Sequence, residues 1–166
     1  MATNPNAVAV APDALEKAVR GEGGLNAFFG LNKDQVDAMA VLGFQLYDQG
    51  RNDEARAIFE GLIALDSRSY FGYAGLGALA LAEEKLDEAA TNLRKAIELK
   101  PEDPTVHANL GEVLLRQGKF EEAAAEFDKA LELDPEEEDP GANRARAILD
   151  GMEVVINEVQ RMQAQA

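Results

Sequence analysis

Apolar and small residues recur along the chain with a period of 34. Leu42, Leu76 and Leu110 stand one period apart; so do Gly43, Gly77 and Gly111, and Ala55, Ala89 and Ala123. Between these positions the apolar residues fall at helical spacing, so each period reads as two antiparallel helices. Side-chain size explains the pattern. At position 8 of the unit (Gly43, Gly77, Gly111) a side chain would push the paired helices apart. At position 20 (Ala55, Ala89, Ala123) the helices cross at closest approach, where only a methyl fits. A large apolar residue at position 24 (Phe59, Leu93, Phe127) fills the space towards the next unit, and position 27 (Leu62, Ala96, Ala130) is apolar again. Position 32 holds Ser67, then Pro101 and Pro135, and a proline there ends the second helix, lacking the N–H that would continue it.

Three such units span 36–69, 70–103 and 104–137. A helix pair of this length resembles the tetratricopeptide repeat. The expected fold is all-α: a helical-hairpin solenoid of three repeats over 32–135, with a helical segment before it and a capping helix after it. Asn32 and Gln35 form a capping box that opens the first helix, which runs to about Gln49 before Gly50 turns the chain. Asp53 to Leu65 follows, with Ala55, Ile58, Phe59, Leu62 and Ile63 on one face. Repeat two reads as helices over Tyr70–Ala82 and Asp87–Leu99. Repeat three reads as Pro104–Arg116 and Glu121–Leu133, with Gly118 turning the chain between them. Asp139 and Pro140 then form the N-cap and first turn of a longer helix over 139–163. Its stripe of Ile148, Leu149, Met152, Val155, Ile156, Val159 and Met162 is expected to cover the C-terminal end of the array.

Ahead of the repeats, residues 1–12 show no periodicity and are expected to form a mobile tail. Asp13 and Glu16 make a capping box for a short helix over 14–20, and Gly21, Gly23 and Gly24 form a joint. Leu25, Phe28, Phe29 and Leu31 then cluster too strongly for a linker. Two roles are open to this 13–31 segment: a cap over the end of repeat one, which a solenoid needs, or a surface through which two copies form a homodimer.

Composition narrows the function. The formal charge is −15, so a phosphate backbone would be repelled and nucleic acid is not an expected partner. Between Pro101 and Pro140 there are 13 acidic residues against three basic ones, which places most of that charge in repeat three and the run Glu136–Asp139, a solvated loop. No stretch approaches the roughly 20 apolar residues of a membrane span. The N-terminus shows no basic region followed by an apolar run, and there is no cysteine, so a cytoplasmic location is expected. The pattern of alternating Asp and Asn with Gly that a calcium loop needs is absent, and no metal or cofactor is expected. The sole histidine, His107, falls at a packing position and reads as a core or half-buried residue. With no cysteine nucleophile, phosphate loop or framed serine, the chain is not expected to be an enzyme.

Arrays of helix pairs act through shape, and the first helix of each pair lines the concave wall. Positions 2, 5, 9 and 12 are Asp37, Ala40, Phe44 and Tyr47; then Phe71, Ala74, Ala78 and Leu81; then Thr105, Ala108, Glu112 and Leu115. Aromatics beside small residues make pockets for apolar anchors. Phe44, Tyr47, Phe71, Ala40, Ala74, Ala78, Leu81 and Glu112 are therefore the candidate peptide-binding residues, unless the aromatics pack instead on the N-terminal segment of the same chain. The Lys, Asn and Arg set with which chaperone-tail adaptors grip a terminal carboxylate is missing: those places hold Ala40 and Phe44, Gly75, and Thr105 and Asn109.

A narrower resemblance lies in Gly23-Gly24-Leu25, in Leu42 to Gly50 (LGFQLYDQG), in Ala57 to Asp66 (AIFEGLIALD) and in Tyr70 to Ala78 (YFGYAGLGA). These stretches resemble the class II (translocator) chaperones of bacterial type III secretion. The resemblance is specific over 23–78 and fades beyond into general repeat consensus. It implies a cytoplasmic protein that keeps a hydrophobic translocator soluble before export, holding an extended, proline-containing segment in the trough, and often self-associating through its N-terminal region. Phe44, Tyr47 and Phe71 would line the pockets, with Ala74, Ala78 and Leu81 beside them. Where the family often has Tyr, this chain has Ala40, so one pocket would be larger or shallower. The alternative is a tetratricopeptide adaptor or scaffold bridging partners in a bacterial multiprotein complex.

Overall fold

The computed structural model describes residues 30–165, and all regular structure among them is α-helical. The elements are α1 (Lys33–Asp48), α2 (Asn52–Leu65), α3 (Tyr70–Ala82), α4 (Leu86–Leu99), α5 (Pro104–Arg116), α6 (Phe120–Leu133) and α7 (Pro140–Ala164). The expected tail, the helix over 14–20 with its Asp13–Glu16 box, the glycine joint, and Leu25, Phe28 and Phe29 lie outside the described residues. Leu31, the last of that cluster, is half-buried.

Helix ends follow local chemistry. The Asn32 side chain accepts from Gln35 N at 2.9 Å while Gln35 Oε1 accepts from Asn32 N at 3.0 Å, closing the capping box. Asp103 and Asp139 cap α5 and α7 in the same sense, each followed by proline at the first helical position. Inside each pair the first helix ends in a Schellman turn: Arg51, Lys85 and Lys119 N–H bond back to Leu46, Ala80 and Leu114 carbonyls at 2.8–2.9 Å. That turn needs a residue at positive φ. Gly50 (72°) and Gly118 (76°) supply it in repeats one and three; repeat two forces Glu84 (60°) into the same conformation. A non-glycine there carries steric strain that glycine would avoid.

The chain divides into two compact units, residues 1–79 and 80–166. In the first, the core is Ala40, Leu46, Ala55, Phe59, Leu62, Leu76 and Leu79. Phe59 on α2 is wholly buried and is met by glycines of two other helices. A Cβ on Gly43 of α1 would lie 2.7 Å from its ring, and one on Gly75 of α3 would lie 2.4 Å from three of its carbons. Both helices thus approach α2 as closely as they do only because the facing residues lack side chains.

In the second unit Phe127 on α6 repeats the arrangement, with Gly111 of α5 against its ring at 2.6 Å for an added Cβ. Ala89 and Ala123 at the helix crossing, and Ala96 and Ala130 at the next apolar position, are all essentially inaccessible. The period also runs one step further than three repeats. Ala142 and Ala145, one period after Ala108 and Gly111, are fully buried, and Gly141 lets α7 sit against the backbone of Thr105. So α7 begins as the first helix of a further pair would.

That origin alters the expected cap. Only the first half of α7 is covered. Ile148, Leu149 and Met152 are half-buried, whereas Val155, Ile156, Val159 and Met162 are 46–63% exposed. The reason is length: α5 and α6, of 13 and 14 residues, reach about 20 Å, while the 25 residues of α7 reach about 37 Å. No helix among the described residues is long and apolar enough to cross a membrane.

Candidate peptide-binding face

In the first unit, α1 carries Phe44 and Tyr47 three residues apart, on one side of the helix, and both pack partly on the core. The Phe44 ring lies 5.0 Å from that of Phe59 at 59°, a tilted contact that anchors one of its faces and leaves the side chain half-exposed. Phe71 stands on the first turn of α3, 38% exposed, edge-on to Tyr70 at 5.2 Å. Gly72 and Gly75 follow it on the side that meets α2, where an added Cβ on Gly72 would meet the Phe59 carbonyl at 2.9 Å. The glycines seat α3 on α2, and that seating fixes where Phe71 stands. The unit therefore offers three partly exposed aromatic side chains on two helices that flank one buried ring.

The small wall residues lie deeper. Ala40 and Ala74 are 2% and 7% exposed and Ala78 is half-buried. Ala40 and Ala74 set how closely their helices pack and offer a ligand almost no surface. An apolar pair absent from the wall reading, Val41 (56%) and Leu42 (45%), is more exposed than any of them. Leu42 shares its repeat position with Leu76 and Leu110, which are 9% and 2% exposed. That shared position was the available signal: in the later repeats it is covered, and in the first no described repeat precedes it.

The second unit carries the remaining candidates, in a different environment. Leu81 is buried. Glu112 on α5 is taken up by two arginines, with Arg116 Nη2 at 2.5 Å and Arg144 Nε at 3.4 Å. Arg144 also donates to Asn109 Oδ1, and the Thr105 hydroxyl, 2.9 Å from both Asp139 oxygens, donates to that carboxylate. The wall of repeat three is thus engaged by the first turns of α7 through polar contacts. Glu112 is a neutralised member of that network.

His107 is buried and fully engaged. Its Nδ1 lies 2.7 Å from Glu126 Oε2 and its Nε2 lies 2.9 Å from the Pro101 carbonyl. Both partners are acceptors, so the arrangement is fully satisfied when both nitrogens donate, and it favours the protonated ring. The Glu126 hydrogen bond is the main cause that raises its pKa above the ordinary 6.5; burial opposes it, and the Pro101 carbonyl adds to the rise. The stability this contributes is complete below the unfolded value and is lost as pH rises through the raised folded value. A proton NMR titration, with one histidine and hence one ring signal, is expected to show a midpoint above 6.5 that falls in Glu126→Gln. A midpoint at or below 6.5 in the unaltered chain would refute the charged assignment.

Models of the tetratricopeptide repeat match residues 36–60 and 75–138. The cell division cycle protein 27 homolog of Caenorhabditis elegans is 34% identical over 71 residues, or 43% of this chain, and the chain spans about 9% of that protein's length. Among solved structures, a chain in a T3SS complex from Aeromonas hydrophila is 26% identical with a TM-score of 0.70, over 87% of this chain and 97% of that one. The type III secretion translocator chaperone SycD of Yersinia enterocolitica is 23% identical with a TM-score of 0.65, over 78% and 98% of the two chains, a likeness of fold. PcrH of Pseudomonas aeruginosa, in complex with the chaperone binding region of PopD, is 26% identical with a TM-score of 0.64, over 75% and 96%. The chain carries tetratricopeptide repeats, and its fold resembles that of translocator chaperones.

Proposed function

We propose that this tetratricopeptide repeat chain is a non-catalytic protein-binding module, a cytoplasmic chaperone that holds an extended apolar segment of a type III secretion translocator against Phe44, Tyr47 and Phe71. The observation that carries the proposal is the likeness to PcrH, whose solved complex contains the chaperone binding region of PopD. The first unit supports it physically. Its aromatics are mounted on helices locked by glycine–phenylalanine contacts, so a client meets a surface that is already formed, and little ordering cost falls on the chaperone. Each anchor side chain of the client that leaves water for this face contributes roughly 1.5–3 kcal/mol before ordering costs. Ala40 and Ala74 are too deeply buried to contribute more than close packing of their helices, and Ala78 adds a half-buried methyl. The mechanism is sequestration: apolar segments that would otherwise aggregate are covered stoichiometrically, with no covalent step.

A second reading, an adaptor that bridges folded partners, is favoured by the match of the general repeat model over 75–138 and by the 34% identical stretch of a protein of another kind. Co-expression with the products of neighbouring genes, followed by pull-down and mass spectrometry, separates the two. The chaperone proposal expects recovery of a neighbour with long apolar segments that is insoluble when expressed alone. Recovery of soluble, folded partners only would move the assignment to the adaptor.

A further inference from the structure

One stripe of α1 breaks the symmetry of the repeats. Ala38, Val41, Leu42 and Gln45, at positions 3, 6, 7 and 10, are all exposed. The same positions of α3 (Gly72, Gly75, Leu76 and Leu79) and of α5 (Val106, Asn109, Leu110 and Val113) are all buried. On α3 the covering neighbour is the helix that comes just before it in the chain. A Cβ added to Gly72 would meet Ile63 at 2.6 Å, and one added to Gly75 would meet the Phe59 ring at 2.4 Å, both on α2. Leu76 and Leu79 share a core with Phe59 and Leu62 of that same helix. In the second unit α5 likewise packs on α4, its own predecessor. The stripe is thus the seat of the chain that precedes each first helix. On α1 it stands open, with Val41 and Leu42 at its centre and no charged residue in it.

The chain ahead of α1 comprises 29 residues outside the described ones, and a tight turn joins it to the helix. Gly30 is left-handed, at φ 67°, Asn32 is extended, and α1 starts at Lys33. A connection this short joins antiparallel neighbours, so it directs the preceding segment back along α1. The reach is sufficient. Leu42 lies about 14 Å along the axis from Lys33, a distance that about nine residues span at helical rise. Residues 13–29 exceed that length and carry Leu15, Val19, Leu25, Phe28 and Phe29, apolar like the stripe. Their charges nearly balance, Asp13, Glu16 and Glu22 against Lys17 and Arg20, whereas a second copy would bring its own −15 against −15. Tethering favours the same occupant: a segment on so short a connection meets the stripe at an effective concentration on the order of millimolar, which a free partner must match from solution. We propose that residues 13–29 fold back along α1 and cover Ala38, Val41, Leu42 and Gln45, in the place that α2 takes on α3. Phe44 and Tyr47, at positions 9 and 12, lie outside the stripe, so this cover leaves them open, and the proposal does not depend on the client reading.

The chain has no cysteine, so a single introduced thiol reports the cover directly. In purified full chain with no client present, Val41→Cys is expected to react with a maleimide at least about tenfold more slowly than Asp48→Cys, an exposed position on the same helix. The protection is expected to be equal over a roughly hundredfold range of protein concentration, as a contact within one chain requires. Adding Phe28→Glu and Phe29→Glu is expected to bring the two rates within about threefold of each other, because the new carboxylates would lose water against the apolar stripe. Leu25→Ser is a milder variant with the same expected direction, and far-UV circular dichroism checks that each variant keeps its helices. Equal rates at Val41→Cys and Asp48→Cys in the otherwise unaltered chain overturn the proposal. Protection that persists when Leu25, Phe28 and Phe29 are altered also overturns it. Protection that grows with concentration assigns the stripe to a second copy and overturns it as well.

Discussion

Replacing Phe59 by Ala is expected to destabilise the first unit by about 3–5 kcal/mol, the cost of a large buried aromatic with little capacity for collapse. Its ring is fully buried, lies 5.0 Å from that of Phe44, and fills the space that Gly43 and Gly75 leave open. Neither glycine has a side chain that could move into the cavity. The unit would have to draw α1 and α3 together around α2, which the buried Leu46, Leu62 and Leu76 resist by their own volume. In urea the transition of this unit is expected to move down by more than about 1 M, taking an ordinary dependence on denaturant for a small domain. Phe59→Leu should lie between the two. A midpoint for Phe59→Ala within about 0.5 M of the original would show that the glycine–phenylalanine contact does not hold the pairs together.

Client affinity is expected to fall by about 2 kcal/mol or more, roughly thirtyfold, when Phe71 becomes Glu. Phe71 is the most exposed of the three candidate aromatics, so a carboxylate there is solvated in the free chain and leaves the fold alone. In the complex the same carboxylate would be forced against apolar client side chains and lose its water. Phe44→Ala should also weaken binding, but part of its effect belongs to stability, since the ring rests on Phe59. Titration calorimetry with the client's recovered segment measures the loss, and unchanged far-UV dichroism ensures that Phe71→Glu is read as a contact effect. Affinity unchanged in both variants would remove this face from the binding account.

Much of the architecture was legible because it is written within one period. The helix α3 spans Tyr70–Ala82 and α5 spans Pro104–Arg116, as their caps and spacing predict, and α2, α4 and α6 each begin one residue earlier than the pattern suggested. Capping boxes, proline stops and the pairing of a missing side chain with a large ring are interactions over a few residues or between adjacent helices. A single sequence displays them in full, and the proline stop and the glycine–ring contact each recur in two of the three repeats. The turn of repeat two is the exception. With Glu84 in place of a glycine nothing local announces the left-handed residue, and only the structure reveals it.

Exposure was not legible, since periodicity tells which face a residue occupies and not what lies over that face. Ala40, Ala74 and Phe71 all occupy positions assigned to the wall, yet two are buried and one is open. Glu112 reads as a wall carboxylate until Arg144, 32 residues on, and Arg116 close around it. The apolar stripe of α7 reads as a cap along its whole length until the shorter helices beneath it run out. By itself, then, the sequence determined the helices, their ends, their pairing and the repeat to which they belong, because those depend on local sterics and hydrogen bonding repeated in register. Only the tertiary structure decided which aromatics remain open to a partner and where an apolar helix face is left uncovered, because burial is a property of what packs against a residue and that neighbour is supplied from elsewhere in the chain.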